Sequence, residues 1–355
     1  MHVVIVRFSS LGDIILQTPL MSWLKLSFPN LKISFVTSRE FSSLVEGHPH
    51  IDSLYYLDRS KGLKDIKNIQ SLANQIQETA QIDFVIDLHN TLRAKILRFF
   101  ISGIPKIVVD KRSILRKILI YFKWDLMKNL PSHHERLIKD FAFLFGLSSE
   151  TKNFQEKLSS QSEFNLTGLT TTPYSFKQSV NDHAYKYLVI SPVASFQGKR
   201  WPIESVNKFM TIFLDDERNV GLDIIIVAGP GDTYCKELLD GPRVLNLQGK
   251  TNLEQTLKII SHAEFCFTND TGSLHMAESF GIPTLSLFGP TSESFGFRPH
   301  LLNSKSLSVD IWCRPCSGTG SKKCFRSEQF CMSLLTAEKV YDEFMQMKLK
   351  RGQIV

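Results

Sequence analysis

The chain has 355 residues, 43% apolar and 22% charged, with 42 Lys and Arg against 35 Asp and Glu. That length can bury a substantial core, and the composition excludes a disordered, collagen-like or small disulfide-scaffold protein. The formal charge of +7 fits phosphate-rich partners, whether nucleotides, nucleic acid or an anionic membrane surface.

No run approaches the roughly 18–20 apolar residues that a membrane-spanning helix needs. The opening MHVVIVRFSSLGDIILQTPL lacks a basic leader and is interrupted by Arg7 and Asp13. It reads as a buried strand and a loop rather than a signal peptide, so a cytoplasmic protein with reduced or metal-ligating cysteines is expected. Residues 3–6 predict a strand, 14–27 an amphipathic helix and 32–37 a second strand. A mixed-charge helix follows at 63–80, then IDFVIDL at 82–88, apolar enough for a sheet covered on both faces. Helical patterns return at 91–101 and 133–145, and a polar stretch at 148–183 reads as a linker. Beyond it, strands are expected at 187–191, 222–229, 244–247, 265–269 and 284–289. Helices are expected at 203–217, 233–239, 253–262, 272–280 and 335–350. Such alternation implies parallel sheets with right-handed crossovers, as two doubly wound α/β domains. The expected boundaries are an N-terminal domain at 1–150, a linker at 151–183, a C-terminal domain at 184–335 and a terminal helix at 336–355.

Five stretches carry chemistry. In SSLGDIILQTP, the turn after the first strand, Gly12 allows close approach and Asp13 opens a helix, where it is either a catalytic carboxylate or a simple cap. No GxGxxG is present, so the ordinary dinucleotide fingerprint is missing. In FTNDTGSLHMAESFGIP, Asp270, Thr271 and Gly272 form a turn into a helix whose N-terminus suits phosphate, with His275 one turn in. The alternative there is an N-cap and a core histidine. SFQGKRWP puts Lys199 and Arg200 on a strand-to-helix loop, either as diphosphate ligands or as a solvated basic loop.

From Arg93 to Lys139 there are twelve Lys or Arg and three Asp or Glu, and SILRKILIYFKW within it can be drawn as an amphipathic helix. That suits an anionic bilayer, or equally a core helix with a basic edge. Finally, Cys313, Cys316, Cys324 and Cys331 fall within nineteen residues. Four thiolates can close a structural zinc site; reduced thiols and oxidatively formed bridges are the other readings.

Together these stretches, with DLHNTLRAK, GPGD, GKTNL and FGPT, resemble the heptosyltransferases of lipopolysaccharide inner-core synthesis, glycosyltransferase family 9, over nearly the whole chain. The resemblance implies the GT-B fold, two Rossmann-like domains facing across a cleft. It implies inverting transfer of L-glycero-D-manno-heptose from ADP-heptose to a lipid A–Kdo core acceptor, without a cofactor or metal for catalysis. By the same resemblance Asp13 is the general base and Lys199 holds the donor phosphates. Ser195, Thr251, Asp270, Thr271, Gly272 and His275 bind the donor, and Gly12, Arg59 and Arg93 lie on the acceptor side. The cysteine cluster also looks like that of some members. Ala194 stands where some members offer a hydroxyl, and His89-Asn90 where many read Gln-Gly. The family further implies a terminal helix that returns to the N-terminal domain, and a peripheral position on the inner face of the inner membrane.

Two other function classes compete. A same-family enzyme with another sugar or acceptor (outer core, O-chain or protein) is the nearer. A non-catalytic sugar-nucleotide-binding protein is the other, and a base opposite the phosphates argues against it. Nucleic acid is not an expected partner, because no stacking platform or helix-turn-helix signature accompanies the basic residues.

Overall fold

The computed structural model describes residues 1–79, 81–144 and 186–354. Among these the chain forms two units, each around its own parallel sheet. The first contains Met1–Lys111 and residues 134–144; the second contains Arg112–His133 and residues 186–354. The polar stretch expected as a linker, 151–183, lies outside the described residues.

The first unit runs β1 (His2–Val6), α1 (Leu11–Ile15), α2 (Thr18–Ser27), β2 (Lys32–Ser38), β3 (Ser53–Leu57), α3 (Leu63–Thr79), β4 (Phe84–Asp87), α4 (Leu92–Phe100) and β5 (Lys106–Val108). Its sheet has the order β3-β2-β1-β4-β5, parallel throughout. The central strands are β-branched and buried on both faces, as a helix-covered parallel sheet requires. The helix expected at 14–27 is divided in two. Pro19 has no N–H to give the carbonyl of Ile15, and the Thr18 hydroxyl donates to it instead at 2.9 Å. Gln17 Nε2 similarly donates to the Asp13 carbonyl at 2.9 Å.

Two further helices follow, α5 (Ser113–Phe122) and α6 (His133–Leu144). The sequence places α5 in the N-terminal domain, whereas the structure packs it in the second unit. Leu119 and Met127 are buried against Phe295, with Leu115, Ile120, Leu130 and Phe297 around them.

The second unit continues with β6 (Lys186–Ser191), α7 (Ile203–Asp215), β7 (Leu222–Ile226), β8 (Val244–Asn246), α8 (Leu253–Ser261), β9 (Phe265–Asn269), α9 (Gly272–Ser279), β10 (Thr284–Phe288), β11 (Lys305–Ser308), α10 (Phe330–Ser333) and α11 (Ala337–Ile354). The sheet order is β11-β10-β9-β6-β7-β8, again all parallel. Helix α11 is part of this unit's core. Phe344 packs edge-on against Phe209, Phe213 and Phe265, and Val340 and Tyr341 are buried beside it.

Candidate functional sites of the two units

In a doubly wound sheet, ligands bind beyond the carboxyl ends of the strands where the strand order reverses. The reversal lies between β1 and β4 in the first unit and between β6 and β9 in the second. The four segments leaving those strands hold most of the residues that the sequence singles out; Arg59, Thr251 and the cysteines follow other strands.

In the first unit β1 runs out at Arg7, whose buried guanidinium reaches Asp13 at 2.8 Å and also donates to the carbonyl of Leu88. The other carboxylate oxygen of Asp13 accepts the Ser10 hydroxyl at 2.6 Å and the Ser10 N–H at 3.2 Å. Asp13 therefore caps α1 from its third position and is fixed by a cation as well. Its side chain stays 23% exposed, so solvent and a ligand can still reach the carboxylate. Gly12 is buried within α1.

At the end of β4 the fully buried Asp87 accepts the N–H groups of His89 and Asn90 at 2.8 and 2.7 Å and pairs with Arg98 at 2.9 Å. This fixes the turn that carries His89. The ring stands edge-on to Phe8 and lies 3.4 Å from Ser9 Oγ and 3.2 Å from Thr91 Oγ1. Burial, with Arg7 and Lys111 nearby, pushes the His89 pKa down to about 3, so the imidazole is neutral. His89, Ser9, Arg59 and Arg93 share a cavity of about 640 Å³ whose other walls include Leu63 and Ile96. Arg93 is steadied by Asp65 at 2.7 Å and by the Ser60 carbonyl at 3.2 Å; Arg59 pairs with Glu40. The two arginines are thus brought together, while Arg7 and His89 are members the sequence does not mark as site residues.

In the second unit Lys199 Nζ lies 2.7 Å from the carboxylate of Asp270 and 3.0 Å from its carbonyl. Asp270 also accepts the Thr291 hydroxyl at 2.7 Å. The next residue, Thr271, is the N-cap of α9, whose first turn begins at Gly272. Helix N-termini carry N–H groups without intrahelical partners and the positive end of the dipole. An ammonium and a helix N-terminus are therefore joined through one aspartate, an arrangement that can receive a diphosphate. His275, one turn along, is buried near Phe297 at a ring distance of 6.3 Å. Ser195 is exposed on the loop after β6, and Arg200 bonds the Ala194 carbonyl at 2.9 Å.

Thr251 stands apart from this cluster, 2.9 Å from Thr256 at the head of α8. The GPGD and GKTN turns pack together there. Gly249 has φ +67°, and a Cβ on it would stand 3.0 Å from Pro230 Cα.

Cys313, Cys316, Cys324 and Cys331 lie in one neighbourhood. Among the described residues no three His, Cys, Asp or Glu side chains gather as metal ligands, and all four thiols are unbridged. Cys324 turns to the carbonyl of Glu328 and Cys331 accepts from Gln329. Burial, with neighbouring cysteines, pushes the thiols of Cys316 and Cys331 up.

Two Rossmann-like units, each with basic and polar residues at its switch point, are the architecture of the GT-B fold. The sequence profile of glycosyltransferase family 9 (heptosyltransferase) matches residues 69–324, and the chain belongs to that family. Lipopolysaccharide heptosyltransferase 3 of Escherichia coli is 25% identical over 301 residues, covering 81% of this chain and 83% of that protein. The lipopolysaccharide core heptosyltransferase OpsX of Haemophilus influenzae is 22% identical over 290 residues, covering 80% and 78%. Among solved structures, E. coli heptosyltransferase WaaC with ADP-2-deoxy-2-fluoro heptose superposes with a TM-score of 0.69 at 19% identity, covering 98% of this chain and all of that one.

Proposed function

We propose that this enzyme moves L-glycero-D-manno-heptose from ADP-heptose to the lipopolysaccharide inner core, Kdo-lipid A or heptosyl-Kdo-lipid A, with inversion and without a catalytic metal. The observation that carries the reading is Lys199, held 2.7 Å from Asp270 at the head of α9. Lys199 and the first turn at Thr271–Gly272 meet the charge that builds on the ADP leaving group. Ser195 and His275 contact the donor phosphates and heptose, and Thr251 the adenosine.

In the first unit, Asp13 takes the proton of the acceptor hydroxyl as that group becomes acidic in the transition state. Arg7 and Ser10 keep the carboxylate oriented for this step. Arg59 and Arg93 hold acceptor phosphate in the cavity they share, with Gly12 in the neighbouring turn. His89 on the same wall, where many members carry glutamine, favours a second reading, a same-family transferase with a different sugar or acceptor.

The test is incubation with ADP-heptose and a series of truncated core lipopolysaccharides, with EDTA present, following acceptor mass. A gain of one heptose on one acceptor is expected. Asp13→Asn is expected to lower kcat by about 10²–10⁴-fold with donor affinity kept. Donor binding without transfer to any acceptor would refute the core-lipid assignment, and loss of donor binding altogether would refute the reaction.

A further inference from the structure

The stretch from Cys313 to Cys331 takes no part in the reaction proposed above, yet it holds the donor side of the second unit together. The backbone N–H groups of Cys316 and Ser317 both donate to the carbonyl of Pro290, at 3.0 and 3.1 Å. Arg314 secures the residues on either side of that proline. Its Nε donates to the carbonyl of Gly289, and its terminal nitrogens donate to those of Val309 at 2.8 Å and Thr291 at 3.1 Å. Glu293 stands 3.5 Å away, and the arginine side chain is only 11% exposed. Three consecutive carbonyls of the FGPT turn are thus held from this one segment. A planar guanidinium with five donors can serve several carbonyls at once, whereas a lysine ammonium is a point charge on a flexible stem.

That turn leads to the diphosphate-binding arrangement. The buried Thr291 donates its hydroxyl to Asp270 Oδ2 at 2.7 Å, and the same oxygen lies 2.7 Å from Lys199 Nζ. The far end of the segment reaches the lysine's own turn. Gln329 Nε2 donates to the carbonyl of Gly198, and a Cβ on Gly198 would stand 3.1 Å from the carbonyl oxygen of Gly320. The aspartate and the ammonium are therefore each tied, within a residue or two, to the same stretch of chain.

Arg243 makes a similar set of contacts elsewhere in the unit. It donates to the carbonyls of Leu214, Asn219 and Leu222 at 3.0, 2.7 and 2.8 Å and stands 3.3 Å from Asp223. However, it directly precedes β8, at the end of the sheet away from the ligand side. Arg314 holds a turn that leaves β10 at its carboxyl end. The two arginines are alike in what they hold and differ in what lies beyond.

We propose that Arg314 and Gln329 are positioning residues of the donor site. Arg314 acts through the FGPT turn and Thr291 to set the Asp270–Lys199 pair at the head of α9, and Gln329 steadies the lysine's turn. The ligand whose binding depends on them is a nucleoside diphosphate, so the proposal rests on the donor reading given above.

The test is calorimetric binding of ADP to the full chain, with no acceptor present. Arg314→Lys keeps the charge and loses the fork, and is expected to weaken ADP binding by about tenfold or more. Arg243→Lys, matched in contacts and remote from the site, should lower the melting temperature and leave ADP affinity unchanged. Because Arg314 acts through Lys199, adding Arg314→Lys to Lys199→Gln should cost no more than about a further twofold. Gln329→Met removes one hydrogen bond from a half-buried side chain and should weaken ADP binding about threefold. It decides the matter where Arg314→Lys does not fold.

A folded Arg314→Lys that binds ADP as the wild type does would overturn the proposal and leave the donor reading standing. So would an equal loss in Arg243→Lys, losses at 314 and 199 that simply multiply, or, where Arg314→Lys does not fold, an unchanged Gln329→Met. Failure of the wild type itself to bind ADP would overturn the donor reading, and the proposal with it.

Discussion

Gly320 lies against Lys199 with φ +84°, and a Cβ there would stand 2.6 Å from Lys199 Cγ. Gly221 has a similar φ of +80° with nothing within 4 Å of its would-be Cβ. Gly221→Ala therefore measures left-handed strain alone, about 1–2 kcal/mol, while Gly320→Ala adds displacement of the lysine. Both variants are expected to melt earlier, and only Gly320→Ala to raise the donor KM, by roughly tenfold for about 1.4 kcal/mol of lost contact. An equal KM in the two variants would separate Lys199 from donor binding.

The sequence shows Lys199 and Asp270 as motif residues but says nothing of Gly320, because the approach joins positions far apart in the chain. Arg7 is hidden for a different reason. In the sequence it is only a cation that interrupts an apolar run, and its meaning appears once the turn brings Asp13 back to it at 2.8 Å.

At the level of elements, the strands absent from the sequence reading are β3, β5 and β11, and all three are sheet edges. An edge strand is less fully covered, so its apolar run is short: KIV in β5 and KSLS in β11. The interior strands, covered on both faces, announce themselves, and with them the switch points that position the sites.

Helix α9 is fastened by a feature with no sequence signature. Both carboxylate oxygens of the fully buried Glu278 share the one backbone N–H of His300, each at 3.0 Å; Glu278 also accepts the N–H of Leu301 at 3.2 Å and stands 2.8 Å from His300 Nδ1. Burial alone would raise its pKa, yet His300 and these N–H groups hold it below the usual carboxylate range. A depressed carboxylate contributes stability above its unfolded pKa, about 4.3, and loses it as pH falls through the folded value. Glu278→Ala is expected to cost about 3–5 kcal/mol in urea unfolding at neutral pH. It is also expected to flatten the acid limb of stability against pH. A cost below about 1 kcal/mol would show that the pair does not tie α9 to the turn before β11.

For the molecule as a whole, the buried His48 and the half-buried His89 set a second, earlier acid limb. Burial, with His50 nearby, lowers His48 to about 4, and burial with Arg7 and Lys111 lowers His89 to about 3. Below about pH 6.5 the unfolded chain takes up protons that these folded imidazoles refuse, so stability falls as pH drops from there towards their folded values. The melting temperature is expected to decline between neutrality and pH 5, before the carboxylates titrate. His48→Gln should reduce that slope, and an unchanged slope would mean that His48 is not protected in the folded state.

The interleaving of the chain has a consequence in time. Helix α5 packs on Phe295 and Phe297, and these residues leave the ribosome roughly 170 positions after it. At about 5–20 residues per second this is a wait of roughly 10–30 s. Through that interval Leu115, Leu119 and Met127 lack Phe295 and Phe297, although β1–β5 have all been synthesised. The nascent chain therefore carries an uncovered amphipathic helix, a natural target for holding chaperones, until the second unit closes over it.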